Sequence, residues 1–111
     1  MKINEKRQGA VTIIQPMAAL IGDDADQFGQ AATRAMTASL GRVVVDLAAV
    51  AFVDSRGLEV LLDLAEEVER GGRTLKLCMT NPTVRQVIEL TGLVPHFEYF
   101  DDTHSAVRSF L

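Results

Sequence analysis

Val53-Asp54-Ser55-Arg56-Gly57-Leu58-Glu59-Val60-Leu61-Leu62-Asp63 is the stretch that decides the fold. An apolar run ends at Asp54-Ser55-Arg56-Gly57, and Leu58 opens an amphipathic pattern, so a strand-like segment gives way to a helix around Ser55. At such a junction the first N–H groups of the helix lack intrahelical partners and its tip carries partial positive charge. A serine hydroxyl over those N–H groups, and any phosphate added to it, is electrostatically favoured. Ser55 is therefore a candidate switch, although serine is also a favoured N-cap and its residue type alone supports plain capping.

Outward from this junction, the chain alternates strand-like and helix-like segments. On the N-terminal side, Arg42-Val43-Val44-Val45-Asp46-Leu47 has the continuous apolar character of a strand covered on both faces. Before it, Phe28, Ala32, Ala35, Met36 and Leu40 recur at helical spacing, with Asp24 or Asp26 as cap and Gly41 as the left-handed residue past the end. Val11-Thr12-Ile13-Ile14 is β-branched and pairs with a strand near residues 3–7. On the C-terminal side, Leu58, Leu61, Leu62, Ala65 and Val68 form a helical stripe, while Glu59, Asp63, Glu66, Glu67 and Glu69 lie off it until Gly71-Gly72 stops the helix. Thr74-Leu75-Lys76-Leu77-Cys78-Met79 reads as a strand, and Asn81-Pro82 as a cap with proline at the first helical position. A short helix through Val84, Val87, Ile88 and Thr91 ends at Gly92. His96-Phe97-Glu98-Tyr99-Phe100 is a last strand, and Asp102 or Thr103 caps a terminal helix carrying Ala106, Val107 and Phe110. This order predicts an α/β fold: one domain over residues 1–111, with a mixed sheet of four to five strands packed against about four helices.

Composition narrows the function. A chain of 111 residues with 48% hydrophobic residues can build one core. Its net charge of −4, with Lys and Arg scattered, argues against nucleic acid as a partner, since that affinity rests on clustered cations. The charged start, Met1-Lys2-Ile3-Asn4-Glu5-Lys6-Arg7-Gln8, has no apolar leader core, and no later run is suited to span a bilayer, so a cytoplasmic protein without direct membrane insertion is expected. Cys78, the lone cysteine, stands in an apolar run and is expected to be reduced core packing.

Catalysis finds no constellation. Ser55 has Gly57 two positions later but Val53 two before, half of a nucleophile elbow. His96 and His104 are too few and too isolated for a metal site, and Gly71-Gly72 precedes a strand, unlike a phosphate-binding loop. A non-enzyme with no metal or cofactor is the expectation. Asp54 is expected to bond local N–H groups in an Asx-type turn. Gly57 allows close approach of a partner backbone, tight helix–sheet packing, or ordinary turn geometry. The acidic residues of the following helix are solvated surface that can steer a basic partner.

Val45-Asp46-Leu47, then Phe52-Val53-Asp54-Ser55-Arg56-Gly57-Leu58 and Leu61-Leu62, resembles the signature of the STAS domain, named for sulphate transporters and anti-sigma factor antagonists. Gly71-Gly72, Asn81-Pro82-Thr83-Val84 and Leu90-Thr91-Gly92-Leu93 resemble further elements of that domain, and the likeness runs from about residue 10 to the end. The resemblance implies a bacterial signalling and transcription regulator, an antagonist that binds an anti-sigma factor/serine kinase when Ser55 is unphosphorylated, releases it when Ser55 is phosphorylated, and is reset by a phosphatase. It implies partner contacts through Asp54, Ser55, Arg56, Gly57, Leu58 and Glu59. Oligomeric state does not follow from it. The chain departs from the antagonist pattern at Arg56, where many such proteins carry a second hydroxyl residue; a guanidinium there either blocks a kinase's basic recognition surface or pairs with the phosphate. It departs again at Ala18-Ala19-Leu20-Ile21, where Ile21 replaces a polar residue. A STAS accessory or scaffold subunit that is never phosphorylated, attached to a transporter or a signalling assembly, is the alternative.

Overall fold

The computed structural model describes residues 1–111. Five strands form one sheet in the order β1-β2-β3-β4-β5: β1 Ile3–Gln8, β2 Val11–Pro16, β3 Val43–Asp46, β4 Leu75–Cys78 and β5 Phe97–Phe100. β1 and β2 make an antiparallel hairpin with Ile3 opposite Pro16 and Gln8 opposite Val11. β2 through β5 run parallel, with Ile13 beside Val44, Val45 beside Leu77 and Leu77 beside Tyr99. Parallel neighbours need crossovers, and the helices supply them: α1 Gly22–Ala38, α2 Ser55–Arg70 and α3 Pro82–Leu90. α4 Thr103–Arg108 follows β5.

Burial follows this layering. β4 is buried throughout and β3 nearly so, which explains their unbroken Val and Leu content, whereas β1 at the edge is mostly exposed and rich in charge. Ile14, Val45, Leu77 and Phe97 join Phe28 of α1, Leu61 and Leu64 of α2, and Val84 and Ile88 of α3 in the main core. The other face carries a smaller cluster, Val11, Ile13, Val44 and Cys78, beneath Ala106 of α4. Lys76 lies within that second layer because its ammonium meets Glu98 at 2.6 Å and lies 4.7 Å from the centre of the Phe110 ring. A buried lysine needs such partners. Phe110 packs there, while Leu111 projects into solvent.

Three expectations shift in detail. α1 begins at Gly22 rather than at a cap on Asp24 or Asp26: Ile21 is its extended N-cap, without a side-chain bond, and Gly22 turns the chain with φ +50°. Asp23 and Asp24 instead sit in the first turn, where acidic charge suits the helix dipole. The buried face of α2 includes Val60 and Leu64, and Leu62 is only half-buried, a rotation of the expected stripe toward α1. β5 starts at Phe97 because Val94–His96 forms a 3₁₀ turn.

Candidate functional site

β2, β3 and β4 run parallel, so the loops after them emerge on one edge of the sheet. The β3–α2 loop is fixed before it reaches Ser55. Ala48 N–H donates to Asp46 Oδ1, Val50 N–H donates to the Leu47 carbonyl, and Asn81 Nδ2 donates to the Val50 carbonyl at 3.0 Å. The chain then pairs with the β2–α1 loop through an isolated parallel bridge between Leu20 and Val53. Leu20 N–H donates to the Phe52 carbonyl at 3.1 Å and Asp54 N–H donates to the Leu20 carbonyl at 3.2 Å.

Gly57 makes this pairing possible. A Cβ there would stand 2.1 Å from the Leu20 carbonyl oxygen, so of the three readings open to Gly57 it is packing against a neighbouring backbone that the geometry displays. Gly57 itself is buried.

The junction differs from expectation in one respect. Asp54, not Ser55, is the N-cap of α2, with extended φ −95° and ψ −174°, and Ser55 is the first helical residue. Asp54 Oδ1 accepts from Gly57 N–H at 2.8 Å, and Oδ2 accepts from Gly22 N–H at 3.0 Å. One carboxylate thereby caps two helices, α2 and α1. The Gly57 N–H, chiefly, holds the Asp54 carboxyl below the usual carboxylate range; desolvation opposes it as the next largest effect, and the Gly22 and Arg56 N–H groups add to the lowering. The Gly57 N–H at the tip of α2 is thus occupied, and Ser55 stands exposed to solvent. The Asx-type role read for Asp54 holds locally; its bond to Gly22 lies 32 residues away and has no local signal.

Arg56 does not project freely. Its Nε donates to Asp26 Oδ1 of α1 at 2.6 Å, and another guanidinium nitrogen meets Glu59 Oε1 of α2 at 2.7 Å. The Asp26 carboxylate first, then Glu59, raises its pKa further above the ordinary guanidinium value. Leu58 is half-buried against the main core and Glu59 is exposed. On this edge of the sheet the three loops offer apolar side chains to solvent: Ile21 at 42% exposure, Phe52 at 48% and Met79 at 42%. Phe52 and Met79 were missed as surface residues because apolar residues beside strands read as core. Beyond Arg56, an open groove of about 930 Å³ runs between α1 and α2, lined by charges of both signs including Arg34, Asp63, Glu67 and Arg70.

Other candidates lie elsewhere. Cys78 is fully buried, and desolvation pushes its thiol up to about 11 despite a contact with Thr103 Oγ1 at 3.5 Å. That makes it a packing residue rather than a nucleophile. His96 Nδ1 faces Glu69 at 3.1 Å and His104 is exposed on α4. No group of three His, Cys, Asp or Glu side chains gathers as a metal site, and no helix is long and apolar enough to cross a membrane.

Comparison with known proteins agrees with this architecture. The sequence model of the STAS domain matches residues 2–106. BtrV of Bordetella bronchiseptica, described as a candidate anti-sigma factor antagonist, is 33% identical over 69 residues, covering 62% of this chain and 60% of that protein's length. The crystal structure of a candidate anti-sigma factor antagonist from Thermotoga maritima superposes with a TM-score of 0.88 at 21% identity, covering 96% of this chain and 92% of the other. The Bacillus cell fate determinant SpoIIAA in its phosphorylated form superposes with a TM-score of 0.72 at 18% identity, covering 99% of this chain and all of the other.

Proposed function

The chain belongs to the STAS-domain family, and on that footing we propose that it is a partner-switching regulator whose docking is controlled by phosphorylation of Ser55. Unphosphorylated, it binds an anti-sigma factor that is also a serine kinase; phosphorylated, it lets go and is reset by a phosphatase. It acts as a bacterial signalling protein and not as an enzyme. Asp54, Ser55, Arg56, Leu58 and Glu59 form the docking surface, and buried Gly57 contributes by holding the loop against Leu20.

The observation that carries this reading is the exposed Ser55 at the first position of α2, on a junction whose backbone is tied to Asp54. A kinase needs an accessible hydroxyl, and a fitted interface needs a surface that does not give way. The magnitude is adequate. A phosphoserine adds about −1.5 to −2 charges. Setting that group into an interface costs several kcal/mol, and about 4 kcal/mol would weaken binding roughly a thousandfold. Similarity to SpoIIAA, which exists in a phosphorylated form, supports the reading.

The exposed Ile21, where antagonists offer a polar residue, favours the second reading, a constitutive docking subunit that is never phosphorylated. One experiment separates the two. The purified protein is incubated with the serine kinase encoded nearest its gene and ATP, and intact mass is measured for wild type and Ser55→Ala. A gain of one phosphate in wild type alone, with loss of kinase binding, is expected. Phosphate persisting in Ser55→Ala would refute the acceptor, and stable binding with no phosphate would favour the constitutive subunit.

A further inference from the structure

The tip of α2 already holds an anion. Gly57 N–H is bound by Asp54 Oδ1 at 2.8 Å, and Leu58 N–H donates to the Asp54 carbonyl at 3.0 Å. The adjacent cation, Arg56, is held by Asp26 from α1 and Glu59 from α2, at 2.5 and 2.7 Å. Asp23 and Asp24 occupy the first turn of α1, where Asp24 lies 3.8 Å from the Met1 amino group. The charged groups of this corner are therefore five carboxylates, Arg56 and the Met1 amino group.

We propose that Asp54 bars a Ser55 phosphate from the Gly57 N–H of the helix tip, so that the phosphorylated protein carries its added charge outward, paired neither with that N–H nor with Arg56. The inference rests on Ser55 being the phosphoacceptor. A helix N-terminus ordinarily draws in a phosphate. Here reaching the Gly57 N–H requires evicting a carboxylate bound to two helices at once, and α1 has no side-chain cap at Ile21 to replace it. Recruiting Arg56 would strip Asp26 and Glu59 of their shared partner, two carboxylates against one phosphate. Asp54 is thus a positioning residue. It decides that the phosphate points outward instead of folding back onto the chain.

Phosphoserine installed at position 55 during translation makes the test independent of any kinase. Phosphorus NMR titration should give a second phosphate pKa at or above its ordinary value of about 6. In Asp54→Asn, which removes the charge and keeps the shape, that pKa should fall by on the order of half a unit. In the phosphorylated wild type, the Gly22 and Gly57 amide resonances should stay where they lie in the unmodified protein. A wild-type phosphate pKa well below 6, with both glycine amides displaced, would overturn the inference, because the phosphate would then have taken the tip. Should Asp54→Asn not fold, the two amide resonances decide the matter in wild type alone. Partner binding is not read here, so a phosphorylated protein that keeps its partner while Asp54 stays bound refutes the proposed function and leaves this inference intact.

Discussion

Replacing Gly57 by alanine probes the contact on which the site is built. The added methyl would stand 2.1 Å from the Leu20 carbonyl oxygen, 3.0 Å from Leu20 Cβ and 3.1 Å from the Leu20 carbonyl carbon. Two of these atoms are backbone, so no rotamer change relieves the clash. The β2–α1 loop must withdraw, weakening the Asp54 to Leu20 and Leu20 to Phe52 hydrogen bonds with it. Overpacking of this kind costs about 1–3 kcal/mol, and loosening backbone bonds adds about 1 kcal/mol. Alanine returns up to about 1 kcal/mol through helix propensity. The net expectation is a loss of about 2 kcal/mol, which for a domain of this size lowers Tm by about 8–16 °C. Gly29→Ala in α1 is a suitable comparison, since its methyl would meet only the Val60 side chain, at 3.0 Å, and lies clear of the Leu20 backbone. Thermal unfolding by circular dichroism, with urea titration to confirm a two-state transition, reads both. A Gly57→Ala protein as stable as wild type would refute the claim that the two loops interlock at Leu20.

Two more outcomes test the electrostatics. Because the folded-state pKa of Asp54 is depressed, its stabilising effect is full above the unfolded carboxylate value of about 3.9 and is lost as pH falls through the folded value. Wild type should therefore lose more stability than Asp54→Asn as pH drops below about 4, with little difference in slope between pH 5 and 7, and parallel curves at low pH would disprove the cap's charge dependence. Cys78, buried with its thiol pushed up to about 11, should resist a thiol-specific disulfide reagent at pH 8 and react fully once urea unfolds the chain. Rapid labelling of the native protein would contradict its place under α4.

Most of the fold was legible because its signals are local. Val43, Val44 and Val45 announce a strand covered on both faces, Asn81-Pro82 marks a helix start by cap chemistry, and Gly72 with φ +82° follows the end of α2 where a left-handed residue was needed. The candidate site was legible only in part. The Asp-Ser-Arg-Gly run located the junction, yet Asp54 took the capping role allotted to Ser55 because its carboxylate reaches Gly22 as well as Gly57. Asp26, one of two residues expected as the α1 cap, is instead the partner of Arg56 from 30 residues away. Both bonds depend on the crossing of α1 and α2, and no periodicity within either helix encodes it. The Gly57 contact was among the alternatives, but its partner, a carbonyl 37 positions earlier, emerges only from the assembled loops.

Ile21, Phe52 and Met79 ride on three neighbouring turns while Asp54, Gly57 and Asn81 hold the backbone beneath them. The rim is therefore free to vary, since exchanging an exposed side chain generally moves stability by no more than about 0.5 kcal/mol. Descendants of one ancestral scaffold can diverge in whom they recognise by swapping three ornaments on an unchanging frame. Duplicated copies within one cell could be insulated from each other by the same small edits.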